Sequence, residues 1–317
     1  SKYELETSVD YLRIRLKTLK WFEVIEDLLL MDSNLFNIDV SSMHNYNMSM
    51  SYGSIRILRH SENIDMGTLV EFNGGGCREF EQELKDQNRT WKQFFPDCFF
   101  FSMEQKKVSN FEDLDDYLKF TRLDLATDEM YSKKGNYDLR KLYDKMLAGQ
   151  IQTPFRQFSS NESFLYRDGE FISTGLSLYF GSRKSKSIYI NFYEKDKEQS
   201  MARNLFVDEI HELYGYKNRY EIRLFGDKAT QVIFDFWYND IPLQNLAGQI
   251  ISHYLDIKDD IGNWDIEWLD VFGSDKSYGF VNKPREVSYD RTLKWLDSSV
   301  FASLKRNMEY DRLTGSR

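Results

Sequence analysis

The sequence predicts an α+β fold: a central antiparallel sheet flanked by helices, with a smaller, mainly helical C-terminal part. Three observations predict it. Segments 9–16, 120–128, 188–193 and 219–224 alternate apolar and polar residues with a period of two, as half-buried strands do. Segments 20–31 and 137–147 repeat apolar residues at helical spacing. After Gly226 the alternation gives way to helical spacing over 227–256 and 289–309, so the chain divides into 1–226 and 227–317.

Taken in order, residues 9–16 (VDYLRIRL) put Asp10, Leu12, Ile14 and Leu16 on one face and Tyr11, Arg13 and Arg15 on the other. An acid on an apolar face is costly unless it is paired or holds a metal; Asp10 is either such a group or the strand's still-wet first residue. Residues 20–31 read as an amphipathic helix carrying Trp21, Val24, Ile25 and Leu28 on one side. Residues 34–50 are polar and irregular, and read as loop. Residues 54–59 and 67–73 read as two strands. The second runs into Gly74-Gly75-Gly76, a tight turn that leaves amide groups free to meet a phosphate. The lysine and hydroxyl of a nucleotide P-loop are missing there, which argues against ATP.

A helix follows over 79–85. The aromatic-rich 91–101 reads as core, and 111–118 as a short acidic helix. The strand FTRLDLATD (120–128) turns Leu123 and Leu125 one way and Arg122, Asp124, Ala126 and Asp128 the other. A helix covers 137–147. Residues 171–180 and 187–193 read as a hairpin about Gly181-Ser182-Arg183, 201–213 as a helix, and RYEIRL (219–224) as a strand with Arg219, Glu221 and Arg223 on its polar face.

The hairpin's second strand, SIYINFY, ends in Tyr193 on its polar face. From 181 to 193 the charged residues are Arg183, Lys184 and Lys186, with no acid; Glu194 and Lys195 follow. This positive segment stands in a chain of net charge −9. Taken alone, Tyr193 reads as one of twenty tyrosines packing at a sheet edge.

The 317 residues suffice for one large or two ordinary domains with a full core. No apolar run approaches the roughly 20 residues that cross a bilayer, so no membrane is expected. The two cysteines, Cys77 and Cys98, lack zinc spacing, and a reducing cytoplasm is the expectation. None of the four histidines pairs at ligand spacing, which argues against a histidine-based metal centre. The acidic balance argues against non-specific coating of DNA, but binding follows the local field rather than the total charge.

Several strands carry a carboxylate: Asp10, Glu71, Asp124 and Glu221. Oxygen-rich sets of this kind suit Mg²⁺ or Mn²⁺. The segments VDYLRIRL, VEFNGGGCREFE, TRLDLATD, YFGSRKSKSIYINFYEKDKE and RYEIRL, in that order over about residues 9–226, resemble the Rep_trans group of rolling-circle plasmid replication initiators and conjugative-element relaxases of Gram-positive bacteria. The resemblance implies site-specific nicking of one DNA strand at an origin, leaving a 5′-phosphotyrosine and a free 3′-hydroxyl. It implies Tyr193 as the nucleophile, and Asp124, Glu221 and Asp10 as ligands of Mg²⁺ or Mn²⁺. Arg183, Lys184, Lys186 and Lys195 would hold phosphates. The implied partners are origin DNA, single-stranded or in an extruded hairpin, a helicase, and a second copy of the chain. Two other readings stay open: a hydrolytic metal nuclease in which water attacks, and a non-catalytic origin-binding protein whose carboxylates pair with Arg122, Arg219 and Arg223.

Overall fold

The alternating stretches pair edge to edge because each buries one face and leaves its backbone to be satisfied by a neighbour. In this computed structural model, which describes residues 2–114, 116–273 and 278–280, the strands are β1 (Leu5–Leu16), β2 (Asn37–Val40), β3 (Met48–Tyr52), β4 (Ile55–Arg59), β5 (Thr68–Phe72), β6 (Leu118–Met130), β7 (Ile151–Gln152), β8 (Phe158–Arg167), β9 (Glu170–Phe180), β10 (Ile188–Tyr193), β11 (Tyr216–Phe225) and β12 (Asp256–Ile257). The α-helices are α1 (Trp21–Glu23), continued by a π-helical turn over Val24–Leu28, then α2 (Gly74–Asp86), α3 (Trp91–Lys106), α4 (Leu139–Leu147), α5 (Lys195–Arg203), α6 (Val207–Tyr214), α7 (Asp227–Trp237), α8 (Leu243–Tyr254) and α9 (Ile266–Phe272).

The main sheet runs β2-β3-β4-β5-β1-β6-β11-β10-β9-β8, and β7 pairs with β12 apart from it. Every paired neighbour is antiparallel. One face is apolar: Leu12, Ile14, Leu123, Leu125, Ile222 and Phe192 are essentially fully buried. Burying each such side chain stabilises by about 1.5–3 kcal/mol. The aromatic run 91–101 forms most of α3 and packs on this face, with Phe95 on Phe120 at 6.0 Å between ring centres.

Residues Ser1–Tyr278 form one compact unit and Gly279–Arg317 a second. The division expected at 226 falls between β11 and α7, inside the first unit, where α7 and α8 pack on β6. The helix expected over 289–309 lies outside the described residues.

Several local readings change. The supposed loop 34–50 contains β2 and β3, whose register pairs Asn37 with Ser51 and Val40 with Met48. The sequences of β2 (NIDV) and β3 (MSMSY) do alternate, but both strands are short and every residue of β2 is exposed, so its alternation buries no face. The triple glycine is not a turn but the first turn of α2, capped by Asn73, whose Oδ1 accepts from the Gly76 amide at 2.9 Å. Glycine is needed there for close approach: a Cβ on Gly76 would meet the Ser54 carbonyl oxygen at 2.7 Å. Where a phosphate was expected, the Asp10 carboxylate lies against Gly74. The helix expected over 201–213 is broken into α5 and α6 at Asn204, which adopts a left-handed conformation. Finally, β8, an exposed and largely polar edge strand, carries no alternation and was not legible.

Candidate active site

Residues directly opposite in antiparallel strands share a face. The register therefore decides which polar side chains meet. Tyr193 pairs with Arg219, and Asn191 with Glu221, between β10 and β11. Arg219 pairs with Asp128 and Arg223 with Asp124, between β11 and β6. Asp124 in turn pairs with Tyr11 of β1. The tyrosine and the acids thus line the polar face of four adjacent strands, opposite the core.

Asp10 belongs to this face although alternation assigns it to the other. The β1–β6 register shifts between Val9 and Tyr11, so Asp10 is the extra residue of a β-bulge. The bulge lets Asp10 and Tyr11 both escape the core while Val9 and Leu12 stay fully buried. The Val9 carbonyl accepts a hydrogen bond from the Arg78 guanidinium of α2. The parity conflict in the sequence was a bulge, not a wet strand end.

At the centre, the Tyr193 hydroxyl donates to Glu221 Oε1 at 3.1 Å. Burial, and then the Glu221 charge, push the Tyr193 phenol well above its ordinary range. Burial also raises the Glu221 carboxyl; Asp10 and Asp124 add to the shift, and Arg219 and the Tyr193 hydrogen bond only partly oppose it. Asn191 Nδ2 donates to Glu221 Oε2 across 3.4 Å, and the Asn191 Oδ1 is buried without a hydrogen-bond partner.

Arg219 links the acids. It binds Asp128 through two nitrogens, at 2.6 and 2.8 Å, and reaches Asp10 at 3.4 Å and Glu221 at 3.9 Å. Burial alone would raise Asp128, but Arg219 and Lys195 outweigh it and hold the carboxyl below its ordinary range. Lys195 is 4% exposed; its ammonium lies 2.8 Å from Asp128 and over the Tyr216 ring. Burial and the neighbouring Arg219 lower the Lys195 pKa. This lysine faces the acid cluster and not solvent. Asp124 is held by Arg122 at 2.6 and 2.9 Å and by Arg223 at 3.4 Å.

Of the residues expected to carry function, the structure brings Tyr193, Glu221 and Asp10 around Arg219. Asp124 stands farther along the sheet between two arginines. Arg183 folds back on Tyr179, 4.3 Å from its ring centre, with its Nε 3.3 Å from the Tyr189 hydroxyl. Lys184 and Lys186 are exposed at the opposite end of β10 from Tyr193. Sequence reasoning underrated Arg219, Asp128 and Asn191; the same period-two pattern that puts Glu221 and Tyr193 on the polar face includes all three.

Glu71 forms a second buried acid centre on this face, bound by the Tyr11 hydroxyl, by His44 Nε2 at 2.7 Å and by Arg56 at 3.5 Å. It belongs to a separate cluster from Glu221.

The donor set around Glu221 is all oxygen, which suits a hard divalent cation. A carboxyl whose proton affinity is raised by two other acids also sits in a field that attracts such a cation. In position, however, arginines satisfy Asp10 and Asp124, and no three Asp, Glu, His or Cys side chains among the described residues are grouped to hold a metal ion.

Residues 118–317 match the family described as Replication initiation factor, and residues 6–97 match that described as Rolling Circle replication initiation protein N-terminal domain. The chain is 31% identical to the putative DNA relaxase NicK of Bacillus subtilis (strain 168), over 98% of this chain and 83% of that protein. In three dimensions it resembles the rolling circle replication initiator protein from Geobacillus stearothermophilus, with a TM-score of 0.65 over 85% of this chain and 96% of that one, at 22% identity.

Proposed function

Because the chain belongs to the Replication initiation factor family, we propose that it is a DNA strand transferase that nicks and rejoins one strand at a replication or transfer origin through Tyr193. The observation that carries this reading is the Tyr193–Glu221 hydrogen bond of 3.1 Å on the sheet's polar face.

The chemistry follows from those two side chains. The phenol is held neutral by burial, so it must lose its proton as it attacks rather than before. Glu221 Oε1 already accepts that hydrogen, and a carboxyl with raised proton affinity is a better general base. The phenolic oxygen forms the bond to phosphorus. The bond from phosphorus to the 3′-oxygen breaks, and the departing oxygen takes a proton from solvent. The products are a 5′-phosphotyrosine and a free 3′-hydroxyl. The reverse attack by a 3′-hydroxyl restores both the strand and the enzyme.

For Glu221, Asp10 and Asp124 to hold Mg²⁺ or Mn²⁺, Arg219 would have to release Asp10, and Arg122 and Arg223 would have to release Asp124; when bound, the cation would polarise the scissile phosphodiester. Arg219 and Lys195, both on Asp128, fix the positive charge beside the tyrosine. The DNA would be a single strand or an extruded hairpin, since the phenol must approach the phosphorus in line. A helicase and a second copy of the chain remain proposed partners.

The test is incubation with supercoiled DNA of the element that encodes this protein, with Mn²⁺, followed by mapping of the protein-linked end. A 5′-end attached to Tyr193 is the expected result. Free ends without attached protein would instead support hydrolysis by water. One observation favours a second reading: Asp10 and Asp124 pair with arginines, as a non-catalytic origin-binding protein would have them. That reading expects binding with no cleavage in the same experiment.

A further inference from the structure

The segment Ser182–Ser187 that precedes β10 closes one wall of a cavity of about 540 Å³, inside the range of small-ligand sites. The lining continues through the turn around Phe155 and Arg156, and α7 and α8 contribute Lys228 and Tyr254. Three cations line it, Arg156, Lys184 and Lys228, and among the described residues no carboxylate does. In a chain of net charge −9 that is a local reversal of sign. Arg156 and Lys184 are exposed and form no ion pair among the described residues.

Phe155 and Tyr254 stand ring to ring in the cavity, 5.2 Å apart and tilted by 31°. Phe155 also presses on Gly181, where a Cβ would lie 3.0 Å from the ring. Gly181 has φ of +86°, so both its backbone and its neighbour require glycine. The aromatic pair and the basic loop therefore form one built unit. Cations without acids select a phosphate, and half-buried aromatic rings select a flat base. Both are present within one nucleotide.

The position names the source of that nucleotide. Ile188 lines the cavity from the apolar side of β10, opposite the face that carries Tyr193, and Tyr193 ends the same strand about 17 Å away at roughly 3.3 Å per residue, so a single strand that reaches both passes round the turn before β10. We propose that this cavity is a subsite for a nucleotide of the single DNA strand engaged at Tyr193, its phosphate on Arg156 and Lys184 and its base against Tyr254. The proposal rests on the reading of the chain as a DNA strand transferase and adds a second anchor, at the far end of β10.

The experiment measures binding of a fluorescein-labelled oligothymidylate by anisotropy over a range of salt. Arg156→Ala/Lys184→Ala should lower the slope of log K against log salt by about 1.4, the share of two cations on a single strand. Tyr254→Ala should weaken binding about tenfold. Because Tyr254→Ala can also disturb packing, 5-iodouracil placed in the oligonucleotide gives a second readout on the wild-type protein: photocrosslinks to Tyr254 or Phe155. Wild-type affinity and slope in the double variant, or crosslinks confined to other segments, would overturn the proposal. So would thymidine monophosphate abolishing the Tyr254 crosslink in a protein whose affinity for the oligonucleotide ignores all three substitutions, since the cavity would then serve a free nucleotide. Tyr193→Phe must keep the crosslink. A protein that crosslinks there and never forms an adduct with origin DNA would refute the nicking reading and leave this subsite standing.

Discussion

Tyr193 and Glu221 lie on adjacent strands, β10 and β11, and the phenol of one donates to the carboxylate of the other across 3.1 Å. The contact spans 28 residues of sequence. It joins the one tyrosine that ends a strand in a basic segment to a carboxyl that burial and two other acids hold in a high-proton-affinity state.

Replacing that phenol separates chemistry from binding. Tyr193→Phe keeps the ring and loses only the hydroxyl. DNA affinity should stay at the wild-type level, and the covalent protein–DNA band on a denaturing gel should vanish. An adduct at wild-type yield would remove Tyr193 from the mechanism.

Glu221→Gln tests the acid by rate and by stability together. Loss of the base should slow nicking by about 10²–10⁴-fold. The stability effect has the opposite sign. Because the folded-state pKa of Glu221 is raised, ionising it costs the native state stability at every pH above the ordinary carboxylate range. Denaturant unfolding at neutral pH should therefore find Glu221→Gln at least as stable as wild type. That advantage should disappear in acid, where both states carry the proton. A variant destabilised at neutral pH with unchanged nicking would contradict both halves.

The Arg219–Asp128 pair is built for neutral pH. Asp128 has its pKa lowered in the folded state, so its contribution is complete above the ordinary carboxylate range and fades as pH falls through the depressed value. Asp128→Asn should lose stability at neutral pH, and the gap to wild type should close on acidification. Arg219→Met leaves buried Asp128 short of its main partner and should cost about 3–5 kcal/mol in urea unfolding. The double substitution Arg219→Met/Asp128→Asn should recover part of that loss.

Divalent cation dependence is checked by removal and return. EDTA should stop adduct formation and Mn²⁺ restore it. Asp10→Asn and Asp124→Ala should each raise the Mn²⁺ concentration needed for half-maximal rate. Nicking that proceeds at full rate in EDTA would mean that the acids serve only the arginines.

Gly76→Ala probes the seat of α2. The added Cβ would meet the backbone oxygen of Ser54 at 2.7 Å, and backbone cannot yield as a side chain can. A loss of about 1–3 kcal/mol is expected. Gly135→Ala is not a matched control, since Gly135 has φ of +108°. Gly248→Ala is, because a Cβ there meets nothing within 4 Å.

Alternation in the chain determined the strands that matter, and with them the side on which Tyr193, Asp124 and Glu221 stand. Burial imposes a period of two wherever a strand hides one face, so β1, β6, β10 and β11 were legible. The resemblance, and not periodicity, singled out one tyrosine among twenty. Tertiary structure alone decided three things. The exposed edge strand β8 carries no alternation to read, and the alternation of β2 spans four residues and buries no face. The bulge at Asp10 exists only in the pairing of β1 with β6, and it reverses the parity that local sequence assigns. Which acid meets which arginine is a matter of register between strands up to 209 residues apart, and no local rule carries that distance.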